Sequence, residues 1–228
     1  MNFIIFYIGS CLGSFCDLVS FRLLKKEQWV FGRSYCDFCQ KKLRLIHLLP
    51  LLSFVFLKGR CPYCQRKIPI RHSLIEIIGG LGLCMLYNTS SFYILKTIIM
   101  MILLIISLMD IEKMYFNGEL LLILLISSIF YAICMKNTIY ESLLGAICIS
   151  LPLLLFKRFI GDGDLWIITI MGIALKTQGI IIAFSMAVYS CILITMYLLW
   201  IGKKNKKDPI PFCPFLSLGV IFALMFCC

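Results

Sequence analysis

A chain of 228 residues that is 61% hydrophobic and only 14% charged, with mean hydropathy +0.99, is not a soluble globular domain. Such domains carry charge on roughly a quarter of their residues, so this composition belongs to a bilayer. The net charge of +11 is concentrated: twelve of the 22 Lys and Arg fall between Arg22 and Arg71. In a membrane protein such clustering is first a topology signal, and no direct nucleic-acid partner is expected.

In chain order, the first apolar run covers residues 2–21. It lacks a basic n-region and a small-residue cleavage site, so the reading is a retained helix rather than a signal peptide. A long, largely polar segment follows to about His72. Further apolar runs lie at 73–87, 93–109, 119–135, 139–156, 165–176, 179–201 and 211–228. They are about 12 to 23 residues long, against the ~20 that cross a bilayer. The expectation is an all-α membrane protein of eight transmembrane helices. Its organisation is read as helix 1 (1–22), a cytoplasmic four-cysteine loop (23–72) and a seven-helix membrane core (73–228).

Segments 22–72, 110–118, 157–164 and 202–210 alternate onto one side and hold nineteen of the 22 basic residues. Only Lys96, Lys136 and Lys176 lie elsewhere. The positive-inside rule therefore predicts that this side is cytoplasmic. The pair Lys157-Arg158 belongs to this pattern. So does Lys203-Lys204-Asn205-Lys206-Lys207, read as a topology signal in contact with lipid headgroups.

Within the long loop, Cys36-x-x-Cys39 and Cys61-x-x-Cys64 form two pairs. Each can place two thiolates on one ion from a tight turn, and together they close a tetrahedral zinc shell. With no open position the metal is structural, and it supplies order that a small loop cannot draw from a core. Residues 43–57 are the loop's one apolar stretch, expected to lie against the membrane. A cytoplasmic placement keeps thiols reduced and disfavours disulfides. The other nine cysteines read as small hydrophobes, and His47 and His72 as satisfied or solvent-facing side chains.

Two acids stand at the cytoplasmic ends of apolar runs: Asp110, and Asp164 within Gly161-Asp162-Gly163-Asp164. Acids beside membrane-length segments are costly and often mark a working site. A pair that shares one proton suits aspartic-peptidase chemistry, one carboxylate acting as base toward water and the other as acid. Gly161 and Gly163 leave the backbone beside Asp164 unobstructed, which suits an extended substrate strand. Two other readings remain open. Asp-Gly-Asp is also ordinary turn chemistry. Acids in membranes also serve proton-coupled transport, although these lie at helix ends and no repeat is visible.

Taken together the motifs resemble those of the type IV prepilin peptidases, bacterial membrane aspartic peptidases. The resemblance runs from Gly13-Ser14-Phe15 and Phe21-Arg22-Leu23 through Arg33-Ser34-x-Cys36-x-x-Cys39, Leu49-Pro50-x-x-Ser53, Gly59-Arg60-Cys61-x-x-Cys64 and Glu76. It continues at Asp110-Ile111 and Gly161-x-Gly163-Asp164, and ends at Pro211-Phe212-x-Pro214-Phe215-Leu216-x-x-Gly219. The resemblance implies cleavage of the leader of prepilins or pseudopilins on the cytoplasmic face of the bacterial membrane. Asp110 and Asp164 match the catalytic pair, with Glu112 and Asp162 ranked behind them. Many members also methylate the new N-terminus with S-adenosylmethionine, and the four-cysteine loop is similar to that of such bifunctional members. Glu76, where helix 2 begins, is read as holding a basic leader or a helix partner, or as a local helix N-terminal acid.

The chain departs from the family's pattern at four places. Trp166 stands where a lysine is usual, Asn117 where proline is, Asp17 where asparagine is, and Cys213 where glycine is.

Overall fold

The computed structural model describes residues 2–28, 34–36, 38–89, 92–155, 161–202 and 209–226. Outside them lie the basic runs 157–158 and 203–207, Arg33 and Asp37 of the cysteine loop, and Cys227 and Cys228. Among the described residues all regular structure is helical, apart from two isolated bridges, Tyr35–Lys42 and Arg60–Lys67. The chain divides into two compact units, residues 1–88 and 89–228.

In the first unit, α1 (Asn2–Leu24) and α3 (Ile70–Thr89) are long and apolar enough to cross a membrane. Their contact depends on missing side chains. A Cβ on Gly9 would stand 2.6 Å from the Gly79 carbonyl oxygen, and one on Gly13 2.7 Å from that of Ile75. The four-residue spacing puts both glycines on one face, so the helix backbones approach closely. This packing groups α3 with α1, whereas the sequence reading assigned it to the downstream core. Between them a 3₁₀ turn (Leu45–Leu48) precedes the short α2 (Leu52–Phe56). Ile46, Val55 and Phe56 there remain exposed, an apolar surface suited to a lipid boundary.

The second unit holds α4 (Tyr93–Lys113), α5 (Gly118–Cys134), α6 (Ile139–Leu155), α7 (Asp162–Trp200) and α8 (Cys213–Phe226). α4 and α7 are membrane-length, and the other three are shorter apolar helices. The core is made by α4 (Ile99, Leu103, Ile106), α7 (Ile168, Met171, Ile180) and α8 (Leu216, Val220). Gly145 of α6 and Gly172 of α7 meet backbone to backbone, a Cβ on Gly145 falling 2.2 Å from the Gly172 oxygen.

Helix α7 is broken at Lys176, whose φ of 59° and ψ of −175° are not helical. Its arms, 162–175 and 177–200, correspond to the separate runs expected at 165–176 and 179–201. Counting both arms and setting aside the short α2, the described residues contain eight apolar helical segments, as expected. The break is held from the α5–α6 connection and the first turn of α6: the Asn137 amide donates to the Ala174 oxygen at 3.2 Å, and Glu141 pairs with Lys176 at 3.2 Å.

Two boundary differences bear on the acids. α4 continues past Met109 to Lys113, so Asp110 lies inside a helix rather than after one. α7 begins at Asp162, so Asp162-Gly163-Asp164 is a first helical turn and not a free turn. Acids are favoured there by the helix dipole, and Gly161 is the N-cap. Asn117 caps α5, accepting from the Glu119 N–H at 2.9 Å; a capping side chain thus does what a first-turn proline does by fixing φ. Far from these acids in sequence, Lys96 is fully buried. Its ammonium donates to the Leu224 carbonyl of α8 at 2.6 Å and lies 5.9 Å from the Tyr131 ring.

Candidate active site

Three helix ends in the second unit converge. Asp110 comes from the last turn of α4, Asp164 from the first turn of α7, and Cys213 opens α8. One ligand atom from each lies within 4.8 Å of the others, and all three residues are buried. The Cys213 N–H donates to Asp110 Oδ2 at 3.1 Å, and the Cys213 thiol donates to Asp164 Oδ1 at 3.1 Å. One residue therefore touches both carboxylates. Buried acids need such donors, because each lone pair withdrawn from water must be satisfied by protein.

Asp164 is positioned by its neighbour. A Cβ at Gly163 would meet the Phe116 ring at 2.4 Å, so the space left by the glycine is filled by an aromatic side chain from the α4–α5 connection. The sequence reading had that space open for a substrate strand; at Gly163 it is taken. Gly161 is exposed, with a hypothetical Cβ 3.3 Å from Asp164 Oδ2. Asp162 and Glu112 are also exposed, away from the buried cluster. Trp166, where a lysine was usual, is 60% exposed.

Sequence reasoning read Cys213 as a small hydrophobe and as a departure from the family's glycine; the structure corrects the first reading, since Cys213 bonds both acids. Phe116 gave no signal, since one aromatic residue in a short connection has no pattern to read.

In the first unit, Glu76 accepts from the Leu51 N–H at 2.8 Å and from the Ser14 hydroxyl at 3.0 Å. It ties α3 to α1 and to the start of α2. On α1, Asp17 receives the ring N–H of His72 Nδ1 and pairs with Arg71 at 3.6 Å.

The four-cysteine loop is a candidate metal centre. Sγ atoms of Cys36, Cys39, Cys61 and Cys64 all lie within 4.8 Å of one another. Each pair sits in a similar small turn. Cys36 N–H donates to the Lys41 carbonyl and Gln40 N–H to that of Cys36; Cys61 and Gln65 repeat the pattern with Arg66 and Cys61. Gln40 and Gln65 share a positive φ near 57°. Burial pushes the Cys61 thiol up, yet N–H donors of Cys64 and Tyr63 and the thiols of Cys64 and Cys36 outweigh it, leaving it lowered to about 7. For Cys64 the Arg66 N–H acts downward, while burial and three neighbouring thiols carry it up to about 11. Four converging sulfurs cannot all ionise beside one another without a cation, so the donor set fits a metal ion.

Comparison with known proteins covers most of the chain. The sequence model described as "Bacterial Peptidase A24 N-terminal domain" matches residues 7–90, and that of the "Type IV leader peptidase family" matches residues 97–199. Asp110 and Asp164 fall inside the second match, and Cys213 falls beyond it. The chain is similar to a "Prepilin leader peptidase/N-methyltransferase" of Bacillus subtilis (strain 168), with 26% identity over 234 residues, 98% of this chain and 93% of that protein. No solved structure matches.

Proposed function

We propose that this chain, which belongs to the type IV leader peptidase family, cleaves prepilin or pseudopilin leaders with Asp110 and Asp164 as its acid pair. It is a membrane peptidase, and the observation that carries the residue assignment is the convergence of the two aspartates with Cys213 in a buried cluster. With one proton between them, the ionised aspartate takes a proton from water as its oxygen attacks the scissile carbonyl. The protonated aspartate donates a hydrogen bond to the carbonyl oxygen. Collapse of the tetrahedral species returns a proton to the departing amine. Gly161, exposed at the α7 N-cap, keeps one approach to Asp164 clear of side chains.

The charge distribution supports a cytoplasmic site in the bacterial plasma membrane, where a basic leader meets the headgroup surface. The four cysteines are read as holding a structural zinc, because four thiolates fill a tetrahedral shell and leave no open position. The B. subtilis relative's name includes N-methyltransferase, and the same reading extends to this chain with S-adenosylmethionine as methyl donor. A proton-coupled transporter is disfavoured, because the acids meet at helix ends inside a segment matched to a peptidase family.

The test is co-expression with a prepilin, reading substrate size for wild type, Asp110→Asn and Asp164→Asn. Each variant should remain in membranes and lose cleavage by at least about 10³-fold, as loss of a paired acid or base does. Full cleavage by either variant removes that aspartate from the reaction. An intact prepilin with wild type would return weight to transport.

A further inference from the structure

The first unit contains a half-open cavity of about 420 Å³ walled by α1, the start of α3 and the cysteine loop. This is within the range of small-molecule sites. Its lining is mainly apolar and includes Phe15 and Tyr35, with Asp17, His72 and Glu76 as convergent polar groups. None of these residues has a part in the acid-pair chemistry.

His72 is held as a general base is held. Its Nδ1 faces Asp17 Oδ2, and a neutral ring that donates Nδ1–H to this carboxylate has Nε2 as its acceptor nitrogen. Arg71 braces Asp17 from the other side at 3.6 Å. The imidazole remains 43% exposed and lines the cavity, so it is positioned yet reachable. The charged groups around the cavity are Asp17 and Arg22 of α1, Arg66 and Lys67 of the cysteine loop and Glu76 of α3, with Arg71 on Asp17. Of the carboxylates, guanidinium and ammonium groups and His72, the imidazole alone ordinarily titrates near neutral pH; His47 and Cys61 also line the cavity.

The cavity also fits a methyl donor. Phe15 and Tyr35 offer faces for an adenine ring and for a sulfonium cation, and the lining holds both carboxylates (Asp17, Glu76) and cations (Arg22, Arg66, Lys67) for a donor that carries both charges. We propose that this cavity receives the adenosyl sulfonium donor and that His72, oriented by Asp17, is the base that frees the new N-terminal amine for methylation. The inference rests on the N-methylation reading above and adds its location and its base. His72 Nε2 takes one proton from the substrate's terminal ammonium. The nitrogen lone pair so released forms the N–C bond, and the electron pair of the breaking S–C bond stays on sulfur as a neutral thioether. The positive charge ends on the methylated ammonium, and the imidazolium returns its proton to water.

The experiment uses the full chain in detergent. Radiolabelled S-adenosylmethionine is photo-crosslinked and the labelled peptide mapped. Methylation of a synthetic mature pilin N-terminus is then followed from pH 6.5 to 9 for wild type, His72→Gln and Asp17→Asn. The label should map to cavity-lining residues between 11 and 76, and His72→Gln should keep it. That variant should lose methylation about 100-fold at pH 7 and regain most of it by pH 9, where the α-amine deprotonates unaided. Asp17→Asn, which can still accept the Nδ1–H, should lie between the two.

Label confined to the second unit overturns the location. A His72→Gln rate within threefold of wild type at pH 7, or a deficit that does not shrink as pH rises, overturns the base. If wild-type protein that cleaves prepilin neither crosslinks nor methylates, the N-methylation reading itself fails and this inference falls with it.

Discussion

Replacing Gly163 by alanine tests how firmly Asp164 is held. The added Cβ would stand 2.4 Å from Cγ and Cδ2 of Phe116. That is about 1.2 Å inside an ordinary carbon–carbon contact of ~3.6 Å. Cγ is the root of the ring, so rotating its far end cannot relieve the clash. Either the α4–α5 connection or the first turn of α7 must move. Overpacking of this kind costs about 1–3 kcal/mol, offset in part by the ~1 kcal/mol that alanine gains over glycine in a helix. Folding should therefore change little. Catalysis is more exposed, because the displaced turn carries Asp164 and a 1 Å misplacement of a reacting group costs about 10²-fold. The assay is prepilin cleavage by purified full-length protein, with a thermal melt beside it. Gly163→Ala should cut about 100-fold more slowly, and adding Phe116→Ala should recover at least about tenfold by making room. Cleavage by Gly163→Ala within threefold of wild type, or no recovery in the double variant, would refute the argument.

Other outcomes follow from the same geometry. Cys213→Ala removes the thiol donor to Asp164 but keeps the N–H donor to Asp110. A thiol is a weak donor, so cleavage should fall only about 2- to 10-fold, and Cys213→Ser should lie nearer wild type. Cys61→Ser should lower bound zinc, measured by elemental analysis, from about one per chain to near zero, and open residues 34–67 to limited proteolysis. Gly145→Leu places its side chain against the Gly172 backbone, which cannot yield as a side-chain tip can. This variant should fail to accumulate in membranes, as an immunoblot of the membrane fraction would show.

Apolar run length located the helices well, because a bilayer imposes its own thickness on sequence. It located their ends less well. Asp110 ends an apolar run without ending its helix, and Asp162 opens a helix before its apolar run begins, since a polar residue at a helix end can remain hydrogen-bonded within the backbone. The cysteine spacing gave the candidate metal centre outright, because two local turns contain all four ligands. The acid cluster was legible only as two separate acids. Cys213 bonds to both across long sequence separations, and no periodic pattern encodes such a contact. The grouping of α3 with α1 rests on Gly9, Gly13 and Gly79, whose meaning appears only once the partner helix is known. The break at Lys176 lies between two runs already separated in the sequence, although nothing there shows that a lysine would adopt a positive φ.

The buried Lys96 ammonium bears on the order in which the protein is made. Its carbonyl partner, Leu224, lies on α8, which the ribosome makes after α5, α6 and α7. A lysine inside a membrane segment carries a penalty of about 2.5–3.5 kcal/mol on insertion scales. While α5, α6 and α7 are being synthesised, α4 must hold this charge without that acceptor. Synthesis of α8 thus completes the site that holds this charge, and a chain truncated before α8 would present quality-control proteases with a destabilised α4.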